Sequence, residues 1–281
     1  MRAMRKLEWR TVLVHPRNPL NLGAAARAVA NFGLREMVVV APFEPTWQEA
    51  RTAAPGADVV IEVAHSVRTL PEAIADATVV IGTTTGARRN LGRELIAIDE
   101  LASWLGKRKV QGRVAVLFGS EKTGLSNEDM SYCHILVRIP TSADCPSMNL
   151  GQAVAVCAYE LARSGLVRVT PPKLEIGNRK LEDGNRKRGT RNGKLVEPPK
   201  PQFPVSTIIG YCSPAANLQT LEHLFDRATE LLDACGYLQP KSRAAALIKL
   251  RRFLLDLKLT TNDARILGGV LTQVAWKLQQ R

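Results

Sequence analysis

The chain has 281 residues, of which 45% are hydrophobic and 23% charged, a globular composition long enough for two domains of about 100–150 residues. Lys and Arg outnumber Asp and Glu by 39 to 26, a formal net charge of +13, so the surface attracts polyanions. Disordered and fibrous classes are excluded; no run approaches the roughly 18 apolar residues of a bilayer span, and the basic start MRAMRKLEWRTVLVHP has no apolar signal-peptide core.

From Trp9 to about Val167, short β-branched runs alternate with helical patterns, which predicts an α/β domain on a mostly parallel sheet. Strands are expected at Thr11–Val14, Glu36–Val40, Val59–Val63, Thr78–Ile81, Arg113–Phe118 and His134–Ile139. Helices are expected at Leu22–Phe32, Trp47–Ala54, Leu70–Ala75, Asp99–Leu105 and Asn149–Ser164. The runs VAVLF and ILVRI are almost continuously apolar, as central strands covered on both faces should be.

Across residues 168–204 the periodicity stops; ten Lys or Arg, four Asp or Glu and Pro clusters at both ends predict a basic, flexible linker, either an RNA-gripping arm or a solvated spacer. Residues 205–281 then carry apolar positions at three-and-four spacing in three stretches, 218–235, 247–257 and 266–278, which predicts a small helical C-terminal domain. Lys249, Arg251 and Arg252 beside the middle stripe read as an RNA-facing patch or a solvated helix face.

The five cysteines, Cys133, Cys145, Cys157, Cys212 and Cys235, are odd in number and form no CxxC pair, and three sit in strongly apolar surroundings, which predicts a reducing, cytoplasmic setting with buried thiols. His15, His65, His134 and His223 are scattered, so no metal centre is expected.

Three loops carry the chemistry. Asn18–Gly33, NPLNLGAAARAVANFG, places a single cation, Arg27, in an alanine-rich helix start behind Asn21, and either is explicable as plain helix chemistry, an N-cap and a solvent-facing cation. It lacks G-x-G-x-x-G after the strand, so no dinucleotide site is expected. Leu117–Ser126, LFGSEKTGLS, ends a buried strand in Gly119 and sets Glu121 beside Gly124; bare backbone at a strand's carboxyl end is where α/β sheets bind ligands. It is not a phosphate-binding Walker loop. Ile139–Leu161 opens a strand into a Pro-containing loop in which Ser147 and Asn149 stand where a long helix begins, as ligand contacts or as a capping box.

In this order the three segments resemble the signature motifs of the SpoU/TrmH class of SPOUT methyltransferases, over roughly Thr11–Ala162. The resemblance implies an α/β knot, a parallel sheet flanked by helices whose C-terminal part is tied into a trefoil, with the small helical domain appended. It implies S-adenosyl-L-methionine as cofactor, held at Thr83, Thr84, Thr85, Gly119, Ile139, Ser147, Met148 and Leu150. Arg27 would be the catalytic arginine facing a ribose 2′-hydroxyl, with Asn21, Glu121, Ser147 and Asn149 organising the site.

The helical tail is similar to that of the TrmJ subfamily, which implies a tRNA substrate, cytidine or uridine at position 32, the first nucleotide of the anticodon loop, and a homodimer completing the site. Other 2′-O-methylation targets in rRNA or tRNA, methylation of a guanine nitrogen, and RNA binding without turnover are the alternatives.

Overall fold

The structure is a computed structural model that describes residues 7–43, 49–50, 54, 56–86, 92–169 and 214–278. Its frame is a seven-stranded sheet built from β1 (Glu8–Val14), β2 (Glu36–Val40), β3 (His65–Val67), β4 (Val79–Thr83), β5 (Leu95–Ala97), β6 (Arg113–Phe118) and β7 (Ile135–Arg138). The spatial order is β3-β2-β1-β6-β4-β7-β5, and every pairing is parallel. Between the strands run α1 (Pro19–Asn31), α2 (Asp58–Val63), α3 (Leu70–Ile74), α4 (Leu101–Lys107), α5 (Asn127–Ser131) and α6 (Leu150–Arg163). Then follow α7 (Leu218–Ala234), α8 (Arg243–Asp256) and α9 (Thr261–Leu278).

Because side chains alternate across a strand, the sheet feeds two cores. Trp9 and Leu13 of β1, with Val114, Val116 and Phe118 of β6, face one core under α1 and α6. Val12, Val14, Ala115 and Leu117 face the other, which is closed by α3 and by Leu218, Leu221, Leu224 and Phe225 of α7. Burial on both faces is why these strands read as unbroken apolar runs.

The segment Val59–Val63, expected as a strand, is helix α2. Only Val60 and Ile61 of it are buried, while Val59 and Val63 are exposed. β-branching favours a pleated surface with neighbours on it, and here the edge position beside β2 is taken by the next residues, His65–Val67, in register with Val38–Val40. The two edge strands, β3 and β5, have three residues each. The helix expected over Trp47–Ala54 and the linker from residue 170 onward fall largely outside the described residues.

The described residues of 7–169 and 214–278 form one compact unit. Within it the start of α7 is anchored on the turn before β4, with Leu218 N donating to Ala77 O at 3.1 Å and Gln219 N to Ala75 O at 2.7 Å. Of the three basic residues in the middle helix, Lys249 is exposed, but Arg251 is neither a patch nor a solvated face. Its guanidinium lies 4.1 Å from the ring centres of both Tyr132 and Phe225 and pairs with Glu222 at 3.0 Å. Burial of the Tyr132 ring pushes its phenol up to about 12, so it stays neutral under that cation. Stacking plus a bidentate carboxylate is arginine chemistry that lysine cannot reproduce.

Candidate active site

Parallel pairing puts the carboxyl ends of β1, β6, β4 and β7 on one edge, side by side. β1, β6 and β7 lead into the three loops that carry the signature motifs, and β4 ends in the threonines Thr83–Thr85.

After β1 the chain turns into α1. Asn18, rather than Asn21, is the N-cap: its side chain accepts from Leu20 N at 2.9 Å, and Pro19 fills the first helical position. Asn21 therefore sits inside the first turn with its amide free for longer-range bonds. Gly23, Ala25, Ala26 and Ala28 are buried, and where a Cβ on Gly151 of α6 would lie, the Ala24 Cβ is only 2.6 Å away. Small residues at both positions let α1 and α6 meet closely.

After β6 the backbone folds back on itself. Ser120 and Gly124 form a bridge, with Gly124 N donating to Ser120 O at 2.7 Å and Gly124 at φ +66°, a conformation that favours glycine. The backbone of Gly124 and Leu125 occupies the space any Cβ on Gly119 would need. This fold holds Glu121 toward the β1–α1 turn.

There Glu121 accepts three hydrogen bonds: from Arg17 N at 3.1 Å, Asn18 N at 3.2 Å and Asn21 Nδ2 at 2.9 Å. Asn21 Oδ1 in turn accepts from Asn149 Nδ2 at 2.7 Å. Asn149 is the N-cap of α6, its Oδ1 accepting from Gly151 N at 2.9 Å and Gln152 N at 3.4 Å. One relay thus joins all three signature segments. Partial burial pushes the Glu121 carboxyl upward, but the bonds from the Asn21 amide and the backbone N–H groups outweigh it and hold it below the usual carboxylate range. It stays ionised and acceptor-only, which dictates the orientation of both amides.

After β4, Thr83 Oγ1 donates to Leu117 O at 2.8 Å and Thr84 N to Val137 O at 3.0 Å, tying this end to both neighbouring strands. Thr84 Oγ1 accepts from Gly86 N at 3.2 Å, and Thr85 is exposed. After β7, Ile139 and Met148 are half-buried and Ser147 is exposed; Thr141 Oγ1 donates to Pro146 O at 3.0 Å and shapes the loop between them. The Leu150 side chain is buried in the first core, so only its backbone is available at the edge.

Arg27 is outside the relay. It projects from α1 on an exposed stripe with Leu20, Ala24 and Asn31, and it has no hydrogen bond or ion pair among the described residues. The backbone donors of Arg17 and Asn18 and the close packing at Gly151 were not anticipated; the Asn-Pro pair at 18–19 is the sequence signal that marks this turn.

Among the described residues, no three His, Cys, Asp or Glu side chains gather as metal ligands, and no helix is long and apolar enough to cross a membrane.

A family model described as the SpoU rRNA Methylase family matches residues 8–159. The tRNA (cytidine/uridine/adenosine-2′-O-)-methyltransferase TrmJ of Pseudomonas aeruginosa is 30% identical over 265 residues, covering 94% of this chain and 92% of its own length. The tRNA (cytidine-2′-O-)-methyltransferase TrmJ of Methanocaldococcus jannaschii is 40% identical over 152 residues, 53% of this chain and 65% of that protein. The solved structure of TrmJ from Z. mobilis ZM4 matches with a TM-score of 0.71 at 27% identity, covering 94% of this chain and 98% of that one. The matched span contains β1 through most of α6, and with it the relay and Arg27: the chain belongs to the SpoU methylase family of RNA methyltransferases.

Proposed function

We propose that the chain is a cytoplasmic, S-adenosyl-L-methionine-dependent tRNA 2′-O-ribose methyltransferase acting on cytidine or uridine at the first nucleotide of the anticodon loop. The observation that carries this reading is a backbone-rich strand edge joined by the Glu121–Asn21–Asn149 relay to the helix that carries Arg27, in a chain similar over most of its length to tRNA 2′-O-methyltransferases.

The edge suits an adenosyl ligand. Continued past their paired ends, β6, β4 and β7 bring Gly119, Thr84–Thr85 and Ile139 side by side. Backbone groups can satisfy an adenine's polar edge there, while half-buried Ile139 and Met148 offer apolar surface. When bound, the donor supplies an electrophilic methyl group on a sulfonium.

The protein's task is then alignment and charge. A guanidinium is effectively always protonated, so Arg27 acts as a fixed cation that stabilises the developing 2′-alkoxide and a neighbouring phosphate, and it does not take the proton. A substrate phosphate or water accepts it. The Glu121–Asn21–Asn149 relay holds the first turn of α1, the helix from which Arg27 projects, against the two loops that carry donor contacts.

We further infer a trefoil knot and a homodimer. The knot is supported by β7 lying between β4 and β5, two strands consecutive in the chain. The dimer is supported by the exposed stripe that carries Arg27, where Leu20 is 67% exposed, and by Tyr159 of α6, exposed beside Phe32. Arg27 of one subunit then serves the partner's donor site.

Incubation with labelled S-adenosyl-L-methionine and unmodified total tRNA, beside an Arg27→Ala variant, tests the reading. Label is expected as 2′-O-methylated cytidine or uridine in the anticodon loop and is expected to vanish in the variant. Label on a base, or equal activity in the variant, overturns it.

A further inference from the structure

The geometry points to Arg93 and Asp256 as positioning residues through which helix α8 sets the affinity of the methyl-donor edge. This rests on the reading of the carboxyl edge as the donor site. Gly86, whose N–H donates to Thr84 Oγ1 at the β4 end of that edge, lies directly on Leu95: a Cβ on Gly86 would stand 2.7 Å from Leu95 Cδ2. Leu95 opens β5, and the two residues before it are clamped from opposite sides.

Glu94 is held to the sheet and to α4. Its carbonyl accepts from Leu136 N at 3.0 Å, and its carboxylate accepts from Trp104 Nε1 at 3.0 Å and pairs with Arg108 at 3.3 Å. Arg93 is held by α8. Its side chain is only 4% exposed; one guanidinium nitrogen pairs with Asp256 and the other donates to Arg252 O at 3.2 Å. Gly92, at φ +54°, leaves the space that the Arg252 guanidinium fills.

Asp256 is the last residue of α8, the end at which the helix dipole disfavours a carboxylate. Its charge is accommodated by Arg93, and a guanidinium as buried as that of Arg93 requires an opposing charge to remain where it is. With Asp256 neutralised, Arg93 gains by turning toward water. That movement shifts 92–95, and with it the Leu95 surface on which Gly86, bonded to Thr84, rests. The C-terminal helices thereby reach the donor edge through a contiguous set of packed side chains, without touching the ligand.

The test is titration calorimetry of the full chain with S-adenosyl-L-methionine, combined with steady-state kinetics on tRNA. Asp256→Asn is expected to raise the donor's Kd and KM about fivefold, with kcat at saturating donor kept. Asp256→Glu is expected to restore most of the affinity. Asp233→Asn, which breaks the exposed pair with Arg243 in the same set of helices, is expected to bind donor like the wild type. Wild-type affinity in Asp256→Asn, or equal weakening by Asp256→Asn and Asp233→Asn, overturns the inference while leaving the donor site intact. A wild-type chain that binds no donor overturns the reading on which it rests.

Discussion

Replacing Glu121 by Gln separates what its charge does from what its shape does. The carboxylate accepts from Asn18 N and Asn21 Nδ2 on one oxygen and from Arg17 N on the other. A Gln amide keeps one oxygen, so at best two of the three bonds survive, and its NH2 is left facing the Arg17 N–H. If the amide turns the other way, Asn21 must flip to accept, and Asn149 Nδ2 then loses its partner. Because the site is largely solvent-exposed, one lost charge-assisted bond costs about 1 kcal/mol rather than the upper range for buried groups, a fall in Tm of about 2–4 °C for a unit this large.

The sign with pH is fixed by the lowered carboxyl. The native state holds Glu121 ionised where the unfolded chain has begun to protonate, so its stabilisation is present above the unfolded value of about 4.3 and is lost as pH falls through the lower native one. Melting curves between pH 3 and 7 should show the Tm gap between wild type and Glu121→Gln narrowing at the acid end. In parallel, kcat on tRNA should drop about tenfold at neutral pH as the α1 turn loosens from the edge. An unchanged Tm with abolished turnover would refute the positioning argument, since Glu121 would then act on the substrate itself.

Gly119→Ala should cost several kcal/mol or prevent folding, because the new Cβ meets the backbone of Gly124 and Leu125; chemical denaturation against wild type measures it. His134 accepts from Val80 N at 3.1 Å, and burial, reinforced by the Arg93 guanidinium, lowers it to about 4. It resists protonation in the native state, so stability should decline from pH 6.5 toward pH 4, and His134→Gln should flatten Tm across that interval. Arg251→Lys should lower stability by about 1–2 kcal/mol in urea titrations, because lysine loses the two-ring stack and the second bond to Glu222.

The central strands were legible because burial on both faces leaves an unmistakable apolar run, as in VAVLF. The edges were not. His65–Val67 and Leu95–Ala97 are three residues long and partly exposed, too short to carry a period, whereas the β-branched DVVIEV beside β3 imitates a strand and is packed as a helix through Val60 and Ile61 alone. At the site, Asn21, Glu121 and Asn149 stood out as residue types in unusual loops. Their connection could not be read, because the bonded pairs lie 100 and 128 residues apart and only the strand order makes them neighbours. The N-cap shows the converse: Asn18-Pro19 is a local signal that fixes the start of α1 and so frees Asn21, yet Asn21 itself is the kind of residue a cap usually takes.

The two edges of the sheet are built on opposite principles, and one depends on the other. At the amino ends, Arg10 of β1, 8% exposed, joins Glu36 at the start of β2 to Asp76 before β4, and Arg113 at the start of β6 reaches Glu8, Glu36 and Asp76. Burial raises the Asp76 carboxyl, but Arg10 and Arg113 more than offset this and keep it ionised. That mesh bonds four strand starts to one another, so slipping any one by a residue, about 3.3 Å, separates opposite charges, most tellingly at Arg10, whose side chain is 9% exposed. The carboxyl ends carry glycine, threonine and amide side chains around the single Glu121 carboxylate, and Arg27 of α1 makes no ion pair among the described residues. An edge that binds a ligand through backbone groups must hold them to within about 0.5 Å without filling the space with ion pairs of its own. Locking the register at the far end, where charges can be spent on structure, leaves the near end both ordered and open.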